Sequence, residues 1–253
     1  MKIKNVIKAA LLGAVLLLTG SVSEARTRKA TVDSTSTPAF VWPRLRIGVD
    51  LGGAYAVGKV EEGLTPELEE QERRMKFGAI AGVDVSWFFK KWLGVGVKGK
   101  LMYSFSEVDM PVDGSYILMH LSEKAKIPFV GPMICTRVYS KSGKHCFVAN
   151  LSVGYCGIFD DFFFLTKGKM WASTCGLCTD IGYDLRLTKH LSLGFQLSAV
   201  EAYLFKADQM KIEHNFLTQE SIKELWGKDP RTMSHIDFTI GLRYNIECRG
   251  KHK

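Results

Sequence analysis

Several short runs carry residue types that could do chemistry, and each is tested first by its spacing. Gly94-Val-Gly96-Val-Lys-Gly99 spells a dinucleotide fingerprint. In that motif the glycines let the backbone approach a pyrophosphate at a helix start, so a strand must precede it and a helix must follow. Here the apolar–polar alternation runs on through Leu101–Phe105, so a strand continues and no cradle forms. Cys175-x-x-Cys178 is half of a zinc site. On a strand, residues three apart point to opposite faces, and no second pair stands at ligand spacing, so no metal is expected. Ser234, His235 and Asp237 are the residue types of a nucleophilic lipid hydrolase. Ser234 and His235 are sequence neighbours, which a strand sends to opposite faces. Asp160-Asp161 offers two carboxylates to a cation, although adjacent acids commonly mark a turn. Asn150-Leu-Ser152 is a glycosylation sequon by letter, placed inside a strand. The histidines form no His-Glu-x-x-His arrangement. No catalytic activity and no cofactor is expected.

The cysteines, Cys135, Cys146, Cys156, Cys175, Cys178 and Cys248, do not make an evenly spaced framework. An oxidising compartment would permit pairing, and Cys156 with Cys178 is a conceivable pair without a fixed assignment.

The elements that carry these residues begin after a leader. Lys2, Lys4 and Lys8 precede an apolar run, Ala9–Leu18, and Ser23-Glu24-Ala25 reads as a small-x-small cleavage site. Residues 1–25 are therefore expected to be a secretory signal peptide. Its removal takes three lysines and Glu24 and lowers the net charge from +8 to +6. That excess is spread along the chain, whereas nucleic-acid binding calls for a clustered basic face; no nucleic-acid partner is expected. Residues 26–43, rich in Ser and Thr, read as a flexible lead-in.

From Arg44 onward apolar and polar residues alternate with period two, the pattern of strands with two unlike faces. In the last segment Ile236, Phe238, Ile240, Leu242, Tyr244 and Ile246 oppose Asp237, Thr239, Gly241, Arg243 and Asn245. Leu45, Ile47, Val49 and Leu51 open the series, and Phe77–Trp87 and Leu93–Tyr103 repeat it. Further segments fall near 133–140, 146–159, 174–186 and 191–205. Pro128 and Pro132 cannot donate to a ladder, which places them above membrane level or at a bulge. Short connections (Lys90–Trp92, Lys141–Lys144, Thr188–His190) alternate with long ones (61–75, 107–126, 160–171, 206–232). This is the rhythm of an outer-membrane barrel with short periplasmic turns and long outer loops. The acidic run Glu61–Glu72 reads as a solvated loop face, and Ser221-Ile-Lys-Glu224 as a capping box for a short helix.

Three features turn the apolar face toward lipid. The polar face is rich in glycine and carries both signs of charge: Arg46, Asp50, Asp84, Lys98, Lys100, Arg137, Asp180, Asp184, Arg186, Asp237 and Arg243. A narrow interior fits small residues and paired charges. Aromatic residues gather at strand ends, among them Trp87, Trp92, Tyr103, Phe105, Phe162 and Trp171. The third feature is the final strand. Thr239-Ile-Gly241-Leu-Arg-Tyr244-Asn-Ile246 resembles the C-terminal assembly signal of outer-membrane barrels, carried by Thr239, Gly241, Tyr244 and Ile246, and implies the barrel-assembly machinery as a partner. The tail 247–253 departs from proteins that end on the aromatic residue.

On these residues, 44–246 is similar to the porin-like outer-membrane β-barrel domain family, the small OmpA/OmpX-type barrels of Gram-negative bacteria. The expected fold is all-β, an eight-stranded antiparallel up-and-down transmembrane β-barrel in the outer membrane, followed by a periplasmic tail. The resemblance implies no common activity. The expected role is structural or surface interaction, with outer-membrane lipid around the wall and outer loops presented to an unidentified extracellular ligand. The alternatives are a narrow pore for small solutes, a membrane-embedded lipid-modifying enzyme and a soluble lipocalin-like carrier.

Overall fold

A computed structural model describes residues 41–58, 65–111, 118–205, 210–214 and 231–247. The expected signal peptide, lead-in residues 26–40 and the capping box Ser221–Glu224 lie outside the described residues. The alternating segments form β1 (Leu45–Ala56), β2 (Phe77–Phe88), β3 (Leu93–Pro111), β4 (Leu118–Tyr139), β5 (His145–Phe164), β6 (Thr166–Arg186), β7 (Leu191–Leu204) and β10 (His235–Ile246). Two short strands, β8 (Met210–Glu213) and β9 (Arg231–Thr232), and a helix, α1 (Pro66–Met75), come in addition.

The expected eight-stranded up-and-down barrel is not what forms. Among the described residues the sheet has ten strands, in the order β8-β6-β5-β4-β3-β2-β1-β10-β7-β9, and the β6–β7 pairing closes it into a ring. Strands β8 and β9 come from the segment read as loop 206–232. They add to β6 and β7 above the point where those two strands part. The physical reason is unequal strand length. β6 runs beyond its last β7 partner, Gly176↔Ala202, and its unpaired backbone groups recruit β8 at Lys169–Ala172.

Closure leaves no long strand unpaired at ring level, and the register shows how it closes. The cross-strand row that leaves β1 at Arg46 passes through Ser86, Gly96, Met133, Ser152, Cys178, Val200 and His235. It returns to β1 at Ala56, ten residues along. Such a stagger is what tilts the strands of a closed sheet.

The outer connections also differ from expectation. Strands β3–β6 reach far into the presumed loops 107–126 and 160–171. The second of these collapses to a tight reversal at Leu165, which takes a positive φ of 61°. The acidic run yields α1: Pro66 sits in its first turn, with Glu67 and Glu69 at its N-terminal end and Arg73 and Arg74 at its C-terminal end. Pro128 and Pro132 make no bulge. β4 keeps one register on β5 from Lys126↔Phe159 to Met133↔Ser152, and the pairs between them skip the prolines. The close approach of Gly131 to Gly154 holds the strands together there, since a Cβ on Gly131 would lie 2.8 Å from the Gly154 Cα.

Candidate functional site: a sealed lumen beneath a tall wall

The two faces of the ring have opposite character. Outward residues are large and apolar: Leu51 is 67% exposed, Phe77 66%, Phe147 59% and Val97 57%. Inward residues of the same strands are charged and buried. This is the reverse of a soluble globule, which rarely exposes a continuous apolar surface.

Nine of the charged residues singled out in the sequence meet inside, in two clusters. In the first, Arg46 donates to Asp84 at 2.7 Å and to Asp184 at 2.9 Å. Arg243 binds Asp50 at 2.5 Å and approaches Asp184 at 3.7 Å. In the second, Lys98 pairs with Asp180, and Lys100 with Asp237 at 2.7 Å. Asn150 and Gln196 each donate to Asp180, at 3.3 Å. The glycines of the polar face make room for these long side chains. A Cβ on Gly194 would sit 2.9 Å from the Arg243 guanidinium and from Asp184 Oδ1. A buried charge that loses its partner costs far more than the pair gains in net terms, so the network defines the filling of the lumen.

Arg137 and Arg186 lie elsewhere. Arg137 plugs the short-turn end of the ring. It donates to the carbonyls of Lys91 at 3.0 Å and Pro43 at 2.5 Å, and its guanidinium lies 3.5 Å from the Phe88 ring centroid. Arg186 is at the rim, bridging to Glu247 at 3.4 Å.

At the opposite end the lumen is closed by an apolar cap, including Met102, Phe129, Leu204, Met210 and Met233. Above it, β3–β6 rise as a one-sided wall. Helix α1 lies along β3, where Ser104 Oγ donates to the Met75 carbonyl at 2.6 Å. Gln71, itself buried, reaches Glu123 on the inner face of β4 at 3.2 Å. Beside Glu123 stands Asp160 of β5, also facing inward. Burial first, and the Glu123 charge second, push the Asp160 carboxyl up to about 8. Asp161 points outward to Lys126, at 3.4 Å. The two aspartates therefore lie on opposite faces of a strand and neither form a turn nor share a cation.

The remaining motifs resolve in the same way. Gly94–Gly99 lies within β3, and Asn150 and Ser152 are buried inside. Cys175 is exposed on the outer face while Cys178 is buried, and both are free, as is Cys156. Ser234 and His235 are both buried, contrary to the opposite faces expected, because Ser234 precedes β10 and only His235 belongs to the strand. They still form no dyad: Ser234 Oγ accepts from the Ala202 amide at 3.1 Å, and His235 Nδ1 lies 3.3 Å from the Met233 carbonyl. Of the assembly-signal residues, Thr239 faces inward and is fully buried, and Tyr244 faces outward, half exposed.

Sequence reading missed the Gln71–Glu123–Asp160 group and a set of outward lysines, Lys124, Lys126, Lys167 and Lys169. Both lay within stretches read as loops. A signal was present: each lysine pair is spaced i, i+2 and continues the parity of the outward apolar residues below it.

No protein-family model matches the chain, and no curated protein matches it. Among solved structures it is similar to Neisserial surface protein A, at 8% identity and a TM-score of 0.45, over 80% of this chain and 97% of that one. It is similar to Ail, the attachment invasion locus protein of Yersinia pestis, at 11% identity and a TM-score of 0.41, over 80% and 98%. It is also similar to the outer membrane protein AlkL, at 7% identity and a TM-score of 0.44, over 88% and 100%. At such identities and scores a likeness carries neither activity nor ligand from one protein to another.

Proposed function

We propose that this chain is an integral outer-membrane protein of a Gram-negative bacterium, non-catalytic, with a plugged lumen and a tall wall held outside the cell as an interaction surface. The observation that carries the reading is the inverted sidedness of the ring: apolar residues outward on every long strand, paired charges inward. In lipid every backbone polar group must be satisfied within the protein, which a closed sheet does and an open one does not. A soluble carrier would need an apolar calyx, and here the middle of the lumen holds salt bridges. A water-filled pore is disfavoured by the filling itself. Arg137 with Phe88 occupies one end, the two ion clusters the middle and the apolar cap the other end.

Two measurements test this. On a detergent gel the unboiled protein from the outer-membrane fraction should migrate faster than the boiled protein; a soluble periplasmic protein showing no shift would sink the membrane reading. In planar bilayers the purified protein should show no stable conductance steps. Regular open steps would restore the pore.

A further inference from the structure

The outward face changes character abruptly on one side of the ring. Tyr103 of β3, Lys126 of β4, Phe159 of β5, Trp171 of β6 and Lys211 of β8 stand side by side in one cross-strand row. Below this row the outward residues are mostly apolar, Ser173 and Thr179 of β6 being polar exceptions. In the next row upward Lys124, Asp161, Lys169 and Glu213 stand side by side, and Lys167 follows one row higher. Rows on one face are spaced by about 7 Å, two residues of strand rise. The lysines thus begin at the height of the aromatic belt and continue immediately above it, on the face that meets lipid below.

Lys124, Lys167 and Lys169 line a groove of about 620 Å³ together with Phe162, Phe163, His214 and two acids, Asp161 and Glu213. Lys126 is held by Asp161, and Lys124 lies 5.3 Å from the Phe105 ring centroid. Among the described residues Lys167 and Lys169 carry no ion pair. On the outward faces of β1, β2, β7 and β10 no lysine stands among the described residues, so the basic field belongs to one flank. Strands β4 and β6 are separated by β5 alone, which sets the two lysine pairs about 10 Å apart.

We propose that this flank is a binding surface for a lipid whose headgroup carries two phosphates, held against the wall in the outer leaflet. The lysine stems would lie along the aromatic belt with their ammonium groups at headgroup height, and the two pairs would take one phosphate each. Continuity with the apolar belt favours a lipid over a soluble polyanion. A ligand anchored in the bilayer is presented to this surface from below, and its acyl chains cover the apolar residues beneath the groove. The inference rests on the membrane reading above.

The test uses the full chain reconstituted in phosphatidylcholine nanodiscs, with or without added bis-phosphorylated lipid A, and counts retained lipid by native mass spectrometry. Wild type should retain the phosphorylated lipid in preference to phosphatidylcholine. The variant K124Q/K126Q/K167Q/K169Q should bind it about thirtyfold more weakly, since each lysine near such a headgroup contributes on the order of 1 kcal/mol and Asp161 and Glu213 already offset two of the four. These positions are exposed, so the variant should keep the heat-modifiable gel shift. The control K91Q/K141Q/K144Q, at the opposite rim, should bind as wild type. Equal retention by wild type and the four-lysine variant overturns the proposal. Binding of a soluble heparin fragment as tight as binding of the lipid overturns the lipid as the ligand. Failure to insert into nanodiscs overturns the membrane reading and this proposal with it, whereas insertion without lipid preference overturns this proposal alone.

Discussion

The ring and the wall above it share four strands, β3–β6, yet they meet two problems in different ways. In the ring, strand edges vanish by closure, and the narrow interior is filled by ion pairs between distant positions, such as Arg46 with Asp184. In the wall the described strands do not close. The β6 edge is extended by β8 instead of β7, and the inner face is covered by α1, which reaches the carboxyl of Glu123 through Gln71. Closure makes the ring cooperative, because each strand is held on both sides. The wall depends on short local additions that can open without the ring.

The largest effect should come from the ring. Arg46→Met leaves Asp84 and Asp184 buried without their main partner, which costs about 3–5 kcal/mol. It should lower the urea midpoint of the whole protein and weaken the heat-modifiable shift. Replacing Arg46, Asp84 and Asp184 together with apolar residues of similar volume should cost much less, since no charge is then stranded. If the single and triple variants are equally unstable, the ion clusters are not what fills the ring.

Truncation in the wall should act locally. Met210→Ala removes a buried side chain of β8 that belongs to the apolar cap, at a cost of about 2 kcal/mol, the low end for such changes because a rim site can collapse. Amide exchange should rise at residues 166–174, which lose their edge partner, and stay unchanged in β1, β2 and β10. A uniform rise across all strands would show that wall and ring unfold together.

What could be read in the sequence follows the same division. The ring was legible because alternation is strict where one face is an exposed apolar surface and the other a packed interior, and both signs of charge sit at matching parity. Nine of the charges at that parity lie paired inside, although which partner each takes depends on the stagger of the closed sheet and no local pattern encodes it. Arg186 was misplaced because parity alone cannot say where a strand passes out of the lumen. The wall was not legible. Alternation persists there, but as lysines and aspartates on the outer face, which reads as loop. Strands β8 and β9 are short and are held by an edge that only the tertiary structure creates. Helix α1 was hidden by its acidity, since its charged residues outweigh the few that face inward.

A smaller effect, visible as a pH dependence, separates wall from ring again. Asp160 lies above the level where outward residues turn charged, and burial followed by the Glu123 charge raises its carboxyl from 3.8 to about 8. A carboxyl raised on folding keeps its proton in the folded state while the unfolded chain has already lost it. The stability of the wall is therefore full below the unfolded value of 3.8 and falls as pH rises toward about 8. Asp160→Asn should flatten this slope. Exchange at residues 157–174 should become nearly independent of pH-driven opening once intrinsic chemistry is subtracted. An unchanged slope in the variant would place the titration on another group.

The smallest effect is expected where ion pairs of the same kind as those in the ring lie in solvent. Arg73 pairs with Glu69 at 2.6 Å along α1, a shorter contact than Arg46 makes with Asp84, yet its side chain is 64% exposed against 3% for Arg46. Water solvates both partners almost as well when they are apart, and holding two long side chains together has an entropic cost that cancels most of the attraction. Arg73→Ala should leave the unfolding midpoint and the exchange of α1 within error of wild type. Because Gln71 is the buried residue of α1, Gln71→Ala should loosen the helix where Arg73→Ala does not. Should Arg73→Ala loosen it as much, the helix would be held by its surface charges, and the distinction drawn between buried and exposed pairs would fail in the wall.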